Sequence, residues 1–327
     1  MLCERKTSPI AQLFSIQIFS NSYVCCPMPI LSKYPISPIF LWVVIVVLAG
    51  SDFRQNQWEC LLVMFAALEL VPKGLQLLGL PQKDWYALTA TGFCAAYLSE
   101  GFWFVALPYL LWAAWLTLRE ATEVFFLKKS QLADFVRVFA LGYWATGAAF
   151  ALLYLADISP LGFDAVIVSL TAAHFHVAGF VLAVLVFCMI RERPSATNRA
   201  LGWVSLAGMP LVAAGITSAQ LGFPTVLEQA SALAFVVFAL AVIAQQIGLF
   251  FQPKYSKTAR WLWLAGAGCL LAGSILAGLY ALRFQIPIEW VSIPNMKIWH
   301  GTLNTFGFAW LSLLAWSNSA RHENQSN

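Results

Sequence analysis

A chain of 327 residues that is 60% hydrophobic, only 10% charged and +0.74 in mean hydropathy lies outside the range of soluble domains, so it is expected to fold in a bilayer. Its net charge of +4 comes without a basic block or aromatic-basic interleaving, which gives no support to nucleic-acid binding and leaves the lipid bilayer as the expected partner. ATP-driven transport by this chain alone and ordinary hydrolase chemistry are disfavoured, because no G-x-x-x-x-G-K, G-x-S-x-G or H-E-x-x-H motif is present.

In chain order, residues 1–34 mix Lys, Ser, Asn, Pro and Cys around a weak apolar stretch and show no small-residue cleavage pattern. They read as an N-terminal extension, either disordered or preceding a true start at Met28, and not as a signal peptide. Ten apolar runs follow, near 38–50, 58–80, 85–98, 102–118, 135–158, 166–190, 201–222, 230–251, 261–282 and 290–316. Eight have spanning length, whereas 38–50 and 85–98 are short for the hydrocarbon thickness. All are expected to be helices, since an open sheet cannot satisfy its backbone in lipid. The fold class predicted is therefore an all-α polytopic transmembrane bundle of about ten spans. It has one helical domain over 35–318 and a polar cytoplasmic tail over 319–327.

Orientation follows from the short connections. Eleven Lys and Arg (Arg119, Lys128, Lys129, Arg137, Arg191, Arg193, Arg199, Lys254, Lys257, Arg260 and Arg321) fall on one set of connections, against Arg283 and Lys297 on the other after the fourth run. This places the C-terminus in the cytoplasm. Residues 119–134, with Glu120, Glu123, two Phe and two Lys, suit an amphipathic helix on the inner surface. Glu120, Arg137, Asp157, Glu228 and Glu289 fall near run ends and are expected to be solvated or capping. The fourteen Trp, many near run ends, suit interfacial anchoring, and the seven scattered Cys show no C-x-x-C pairing of a zinc or disulfide framework.

Polar titratable groups inside the apolar runs are the candidates for function. In the second run Glu69 and Lys73 stand at i, i+4 with the acid first, the favoured order for a helical ion pair; Gln76 follows on that face and Pro72 lies between. Lys73 is only about 10 Å from the inner boundary at 1.5 Å per residue and can snorkel there. In the sixth run His174 and His176 are half of all the histidine in the chain. Residues two apart on a helix point about 200° from one another, so the two cannot chelate one ion and must address opposite faces. Each can ligate a cofactor, or simply hydrogen-bond a neighbouring helix for about 0.6–2 kcal/mol. In the last run Met296, His300 and Asn304 recur every four residues as one polar stripe, and Gly301, Gly307, Ala178 and Gly179 allow the close approach that brings His300 toward one of the pair.

The segment Ala173-His174-Phe175-His176 resembles the A-H-F-H helix of the haem-copper oxidase catalytic subunit, in which one histidine faces each of two haems. The stretch His300-Gly301-Thr302-Leu303-Asn304 faintly resembles that superfamily's H-G-x-x-M haem-ligand helix. The copper-site segments are missing and the order of the two motifs is reversed, which excludes an oxygen-reducing oxidase and leaves a haem-only relic open. In both motifs together the chain resembles the YndJ-like family of bacterial membrane proteins, with H-F-H-x-A-G-F at His174 to Phe180 and M-x-x-x-H-G-x-x-N-x-x-G-F from Met296 to Phe308. The resemblance covers about residue 59 to the C-terminus. It implies a polytopic bundle in the bacterial cytoplasmic membrane and an uncharacterised activity.

Three functional readings follow. The first is binding of a haem, a metal (candidate ligands His174, His176 and His300) or a lipophilic redox molecule through His174, His176, His300 and Asn304. The second is a transporter or permease with Glu69 and Lys73 along a path, although no inverted repeat is visible. The third is a scaffold or assembly factor in which these residues only fix helix packing.

Overall fold

The computed structural model describes residues 37–80, 84–99, 101–126 and 131–323, so the expectations for residues 1–34, Lys128 and Lys129 lie outside the described residues. Every regular element among those described is helical. The order is α1 (Pro38–Leu48), α2 (Ser51–Asn56), α3 (Trp58–Phe65), α4 (Val71–Leu77), α5 (Asp84–Leu98), α6 (Leu107–Phe126) and α7 (Leu132–Leu155). Then come α8 (Ala165–His174), α9 (Leu182–Glu192), α10 (Ala196–Gln220), α11 (Val226–Phe250), α12 (Lys257–Ala281), α13 (Ile293–Thr302) and α14 (Leu311–Glu323).

All ten apolar runs are helical, and the protein is an all-α polytopic bundle. Six rods are long and apolar enough to cross a membrane: Trp58–Leu77, Leu132–Leu155, Ala165–Glu192, Ala196–Gln220, Val226–Phe250 and Lys257–Ala281. With 11 and 15 residues, α1 and α5 reach only about 16 and 22 Å, short of a hydrocarbon core of about 30 Å. α6 is not among the six and carries Arg119, Glu120 and Glu123 in its second half. That half continues the helix to Phe126, so the segment from Arg119 is no separate surface helix.

Three rods form the centre: Trp58–Leu77, Ala165–Glu192 and residues 293–323. α3 packs on α8 and α13, and α14 packs on α4 and α9. Around this triad, α5, α6 and α7 close one side, and α10, α11 and α12 form an arc from α9 and α7 round to α14. The buried share of each rod follows this placement: 83% of the apolar window of Ala165–Glu192 is buried, against 28% for the peripheral Val226–Phe250.

Each central rod changes to π-helical geometry at mid-length, at Ala66–Leu70, Phe175–Val181 and Leu303–Trp310. Such turns carry one extra residue and tend to occur at functional sites. The first lies immediately before Pro72, which has no N–H for the i−4 carbonyl, so the ladder must be re-registered nearby. The others coincide with close approaches: a Cβ on Gly179 would lie 2.9 Å from Tyr143 Cβ, and one on Gly307 would lie 2.5 Å from Cys269 Sγ.

Small residues set the spacing of the triad as well. A Cβ on Gly74 would lie 2.6 Å from the Phe180 ring, which is itself fully buried. Gly74→Ala is therefore expected to lower stability by about 1–3 kcal/mol through overpacking, read as a drop in thermal unfolding temperature in detergent. Gly248→Ala, with open space around its site, serves as the control and should not fall.

Of the charges expected at solvated or capping ends, Asp157 and Glu289 are exposed, Arg137 and Glu228 are half-buried, and Glu120 is buried. Glu120 is 1% exposed and bridges Arg119 at 2.5 Å and Arg137 on α7. Glu228 pairs with Arg283 at 2.7 Å. Apposition of α6 with α7, and of α11 with the chain after α12, creates these pairs, and neither is readable from one helix alone. Of the tryptophans, Trp144 and Trp263 are core residues and not interfacial anchors.

Candidate ligand-binding site

The two histidines of the central rod part company at the start of the π-helical turn. His174 ends α8, and its Nδ1 lies 2.7 Å from the Leu170 carbonyl; His176 places Nδ1 2.8 Å from the Ala172 carbonyl. A ring nitrogen that faces a carbonyl oxygen must carry the hydrogen, so in both neutral rings Nδ1–H donates and Nε2 keeps its lone pair. For His176 that lone pair is taken: the Tyr109 hydroxyl on α6 donates to Nε2 at 3.3 Å, and the two rings stack at 6.2 Å. With no exposure and both nitrogens engaged, His176 joins α6 and α7 to the central rod. A Cβ on Gly147 of α7 would even touch its Nδ1, at 2.6 Å.

His174 turns the other way and is exposed. Its ring meets His300 of α13, with centroids 6.1 Å apart and planes inclined by 32°. His300 repeats the same chemistry, with Nδ1 2.9 Å from the Gly273 carbonyl on α12. The Asn304 amide donates to the His300 carbonyl at 2.9 Å and lies nearly equidistant from the two ring nitrogens, 3.2 Å from Nδ1 and 3.3 Å from Nε2, off the axis of the Nε2 lone pair. Gly273 admits this arrangement, since a Cβ there would stand 2.7 Å from the Asn304 amide nitrogen. Of the residues expected to form the site, His174, His300 and Asn304 come together and His176 lies apart from them. Among the described residues no third His, Cys, Asp or Glu completes a metal-binding cluster.

One turn before His300, Lys297 forms a buried ion pair with Glu59 of α3, Nζ to Oε2 3.2 Å. The two residues are 9% and 3% exposed. The Ser169 hydroxyl donates to Glu59 Oε1 at 3.3 Å, and Lys297 also donates to the Asn56 carbonyl. Sequence reasoning counted Lys297 as a connection charge and passed over Glu59. The available signal was the i, i+3 spacing of Lys297 and His300 on one helix face.

The pair expected on the second rod is formed. Lys73 Nζ lies 3.1 Å from Glu69 Oε1, and Trp310 Nε1, on the rod that carries His300, donates to the same oxygen at 3.0 Å. Glu69 is buried, while Lys73 retains 27% side-chain exposure. The π-helical turn that contains Glu69 thus contacts the one that contains Trp310.

Over residues 61–308 the sequence matches the family model described as YndJ-like protein. The chain belongs to the YndJ-like family. An uncharacterized membrane protein of this family from Bacillus subtilis is 26% identical over 185 residues, which is 55% of this chain and 32% of that protein. The matched part thus amounts to about a third of that relative's length. No solved structure matches. The family match spans Glu69, both central histidines, His300 and Asn304, while Glu59 lies just outside it.

The oxidase-like segment does not present its two histidines to two haems. A haem held between His174 and His300 needs a flat slot across the line that joins them. Beside that line α13 packs closely on α3 and α12: a Cβ on Gly301 would stand 2.7 Å from Leu62 Cδ1, and one on Gly273 would stand 2.7 Å from the Asn304 amide nitrogen. Of the two oxidase-like histidines, His176 has no free nitrogen for iron.

Proposed function

We propose that this membrane protein binds a single transition-metal ion between Nε2 of His174 and Nε2 of His300, and that the ion is monovalent copper. The observation that carries the reading is the ring geometry. Both Nδ1 atoms face carbonyl oxygens, which directs the remaining lone pairs to Nε2, and the centroids stand 6.1 Å apart. Two metal–imidazole bonds of about 2.0–2.1 Å each hold ring centroids about 6 Å apart.

Ion choice follows from charge and ligand number. Imidazole suits zinc, copper, iron and nickel among biological metals. Two neutral imidazoles bring no negative charge, and an uncompensated ion within the span of a bilayer costs many kcal/mol, rising with the square of its charge. A monovalent ion content with two ligands therefore suits the site better than a divalent ion that asks for four. Asn304 is the positioning residue: it holds the His300 backbone and lies within reach of Nε2. The Glu69–Lys73 pair is satisfied by its own helix and by Trp310, and it has no part in this reading.

Metal content of the full chain, purified in detergent and loaded anaerobically with cuprous ion, tests the proposal. About one copper per chain is expected, with loss to background in His174→Ala and in His300→Ala, and with affinity about tenfold weaker in Asn304→Ala. A wild-type protein without stoichiometric copper, or a His174→Ala variant with full copper content, sinks the idea. A Soret band in the purified protein would replace copper with haem.

A further inference from the structure

Away from the histidines, at the Lys- and Arg-rich face of the bundle, the ends of α9, α10 and α11 enclose a cavity of about 290 Å³. Its polar lining is dense for a membrane protein: Glu192, Arg193, Asn198, Gln245, Gln252 and Lys254, with Tyr255 beside them. None of these residues belongs to the histidine site or to the Glu69–Lys73 pair. A polar hollow at the depth where helices leave the hydrocarbon is where lipid headgroups lie.

We propose that this cavity binds a phosphate group, carried by an anionic phospholipid headgroup or arriving as free phosphate.

The charge balance favours an anion. Arg193 and Lys254 contribute two positive charges against the one negative charge of Glu192. That carboxylate is already committed, since Glu192 accepts from the Tyr255 hydroxyl at 2.6 Å and from Lys254. It thereby ties the chain after α11 to the end of α9 and fixes one wall of the cavity. The N-terminus of α10, capped by Ser195, adds a partial positive charge beside Arg193. The side-chain amides of Gln245 and Gln252 supply neutral donors on the opposite wall, from α11 and the turn after it.

Asn198 adds a second requirement. Its amide donates to the Met189 carbonyl at 3.0 Å and to the Arg193 carbonyl at 2.8 Å, which pins the turn that carries Arg193. Its Oδ1 is buried and has no protein donor. A buried amide oxygen without a donor costs about 1–3 kcal/mol, a deficit that a ligand hydroxyl or ammonium would remove. Phosphoglycerol and phosphoethanolamine headgroups each carry such a donor next to the phosphate, whereas inorganic phosphate at neutral pH offers only its own acidic hydroxyl.

Native mass spectrometry of the full chain tests this, after detergent washing and then reconstitution with phosphatidylglycerol, with phosphatidylcholine, or with millimolar inorganic phosphate alone. One retained phosphatidylglycerol per chain, not displaced by inorganic phosphate, assigns the site to lipid. Displacement by inorganic phosphate, with phosphate itself retained, assigns it to the free ion. In either case the Arg193→Gln/Lys254→Gln variant should retain at least about tenfold less. Gln252→Trp, which fills the hollow and leaves the Glu192–Lys254–Tyr255 link intact, should behave likewise with an unchanged unfolding temperature. No retained phosphate ligand in the wild type, or undiminished retention in Gln252→Trp, overturns the proposal. Copper loading is measured on the same samples, so that the two sites fail or survive separately.

Discussion

Lys297→Ala is expected to destabilise the protein by about 3–5 kcal/mol, the usual cost of removing one partner from a buried ion pair. Glu59 is only 3% exposed, and its other donor is the Ser169 hydroxyl at 3.3 Å, so the buried carboxylate would lose its cation inside the bundle. Asn56 would lose a buried donor in the same change. The joint variant Glu59→Leu/Lys297→Met removes both charges while keeping volume and should recover most of the loss, because paired burial carries a desolvation cost that apolar side chains avoid. Thermal or denaturant unfolding in detergent measures both. A single variant that loses less than about 1 kcal/mol would place the pair in contact with water and end its description as buried.

Phe at position 176 and Ala at position 174 should fail in different ways. His176→Phe removes the acceptor of the Tyr109 hydroxyl and the donor to Ala172, leaving a buried hydroxyl without that acceptor. The expected cost is about 1–3 kcal/mol of stability with copper content unchanged. His174→Ala removes a side chain that is exposed and whose protein hydrogen bond is to its own helix. It should abolish copper binding while stability moves by about 0.5 kcal/mol or less, as at other sites with little packing to lose. Copper lost from His176→Phe with a native unfolding temperature would reverse the two assignments.

The helices were legible because they rest on one-dimensional signals. A run of about twenty apolar residues must be helical in lipid, since no other local structure satisfies its backbone, and all ten runs are helical here. The opposed directions of His174 and His176 were equally readable, since the angular step of a helix sets them, and the Glu69–Lys73 pair follows from i, i+4 spacing. The approach of His300 toward one member of the pair was foreseen from the glycines on both rods; which member it meets was not. A helix face has no partner until its neighbours are placed. Glu59–Lys297 and Glu120–Arg137 each join separate helices, and Glu192–Lys254 joins α9 to the turn after α11, so nothing within either sequence segment marks them.

The sequence by itself determined that this chain is an all-helical membrane bundle, that it belongs with the YndJ-like proteins, and that a few polar residues at depth are the places to look. Composition and short-range periodicity carry that information, because the bilayer imposes it on every segment independently. Tertiary structure alone decided that His174 faces His300 while Tyr109 engages His176, that three π-helical turns meet in the central triad, and that buried charges find counterions across helices. Those outcomes depend on the rotation and depth of one rod against another, and close contacts such as Gly74 on Phe180 and Gly273 on Asn304 fix both only in the assembled bundle.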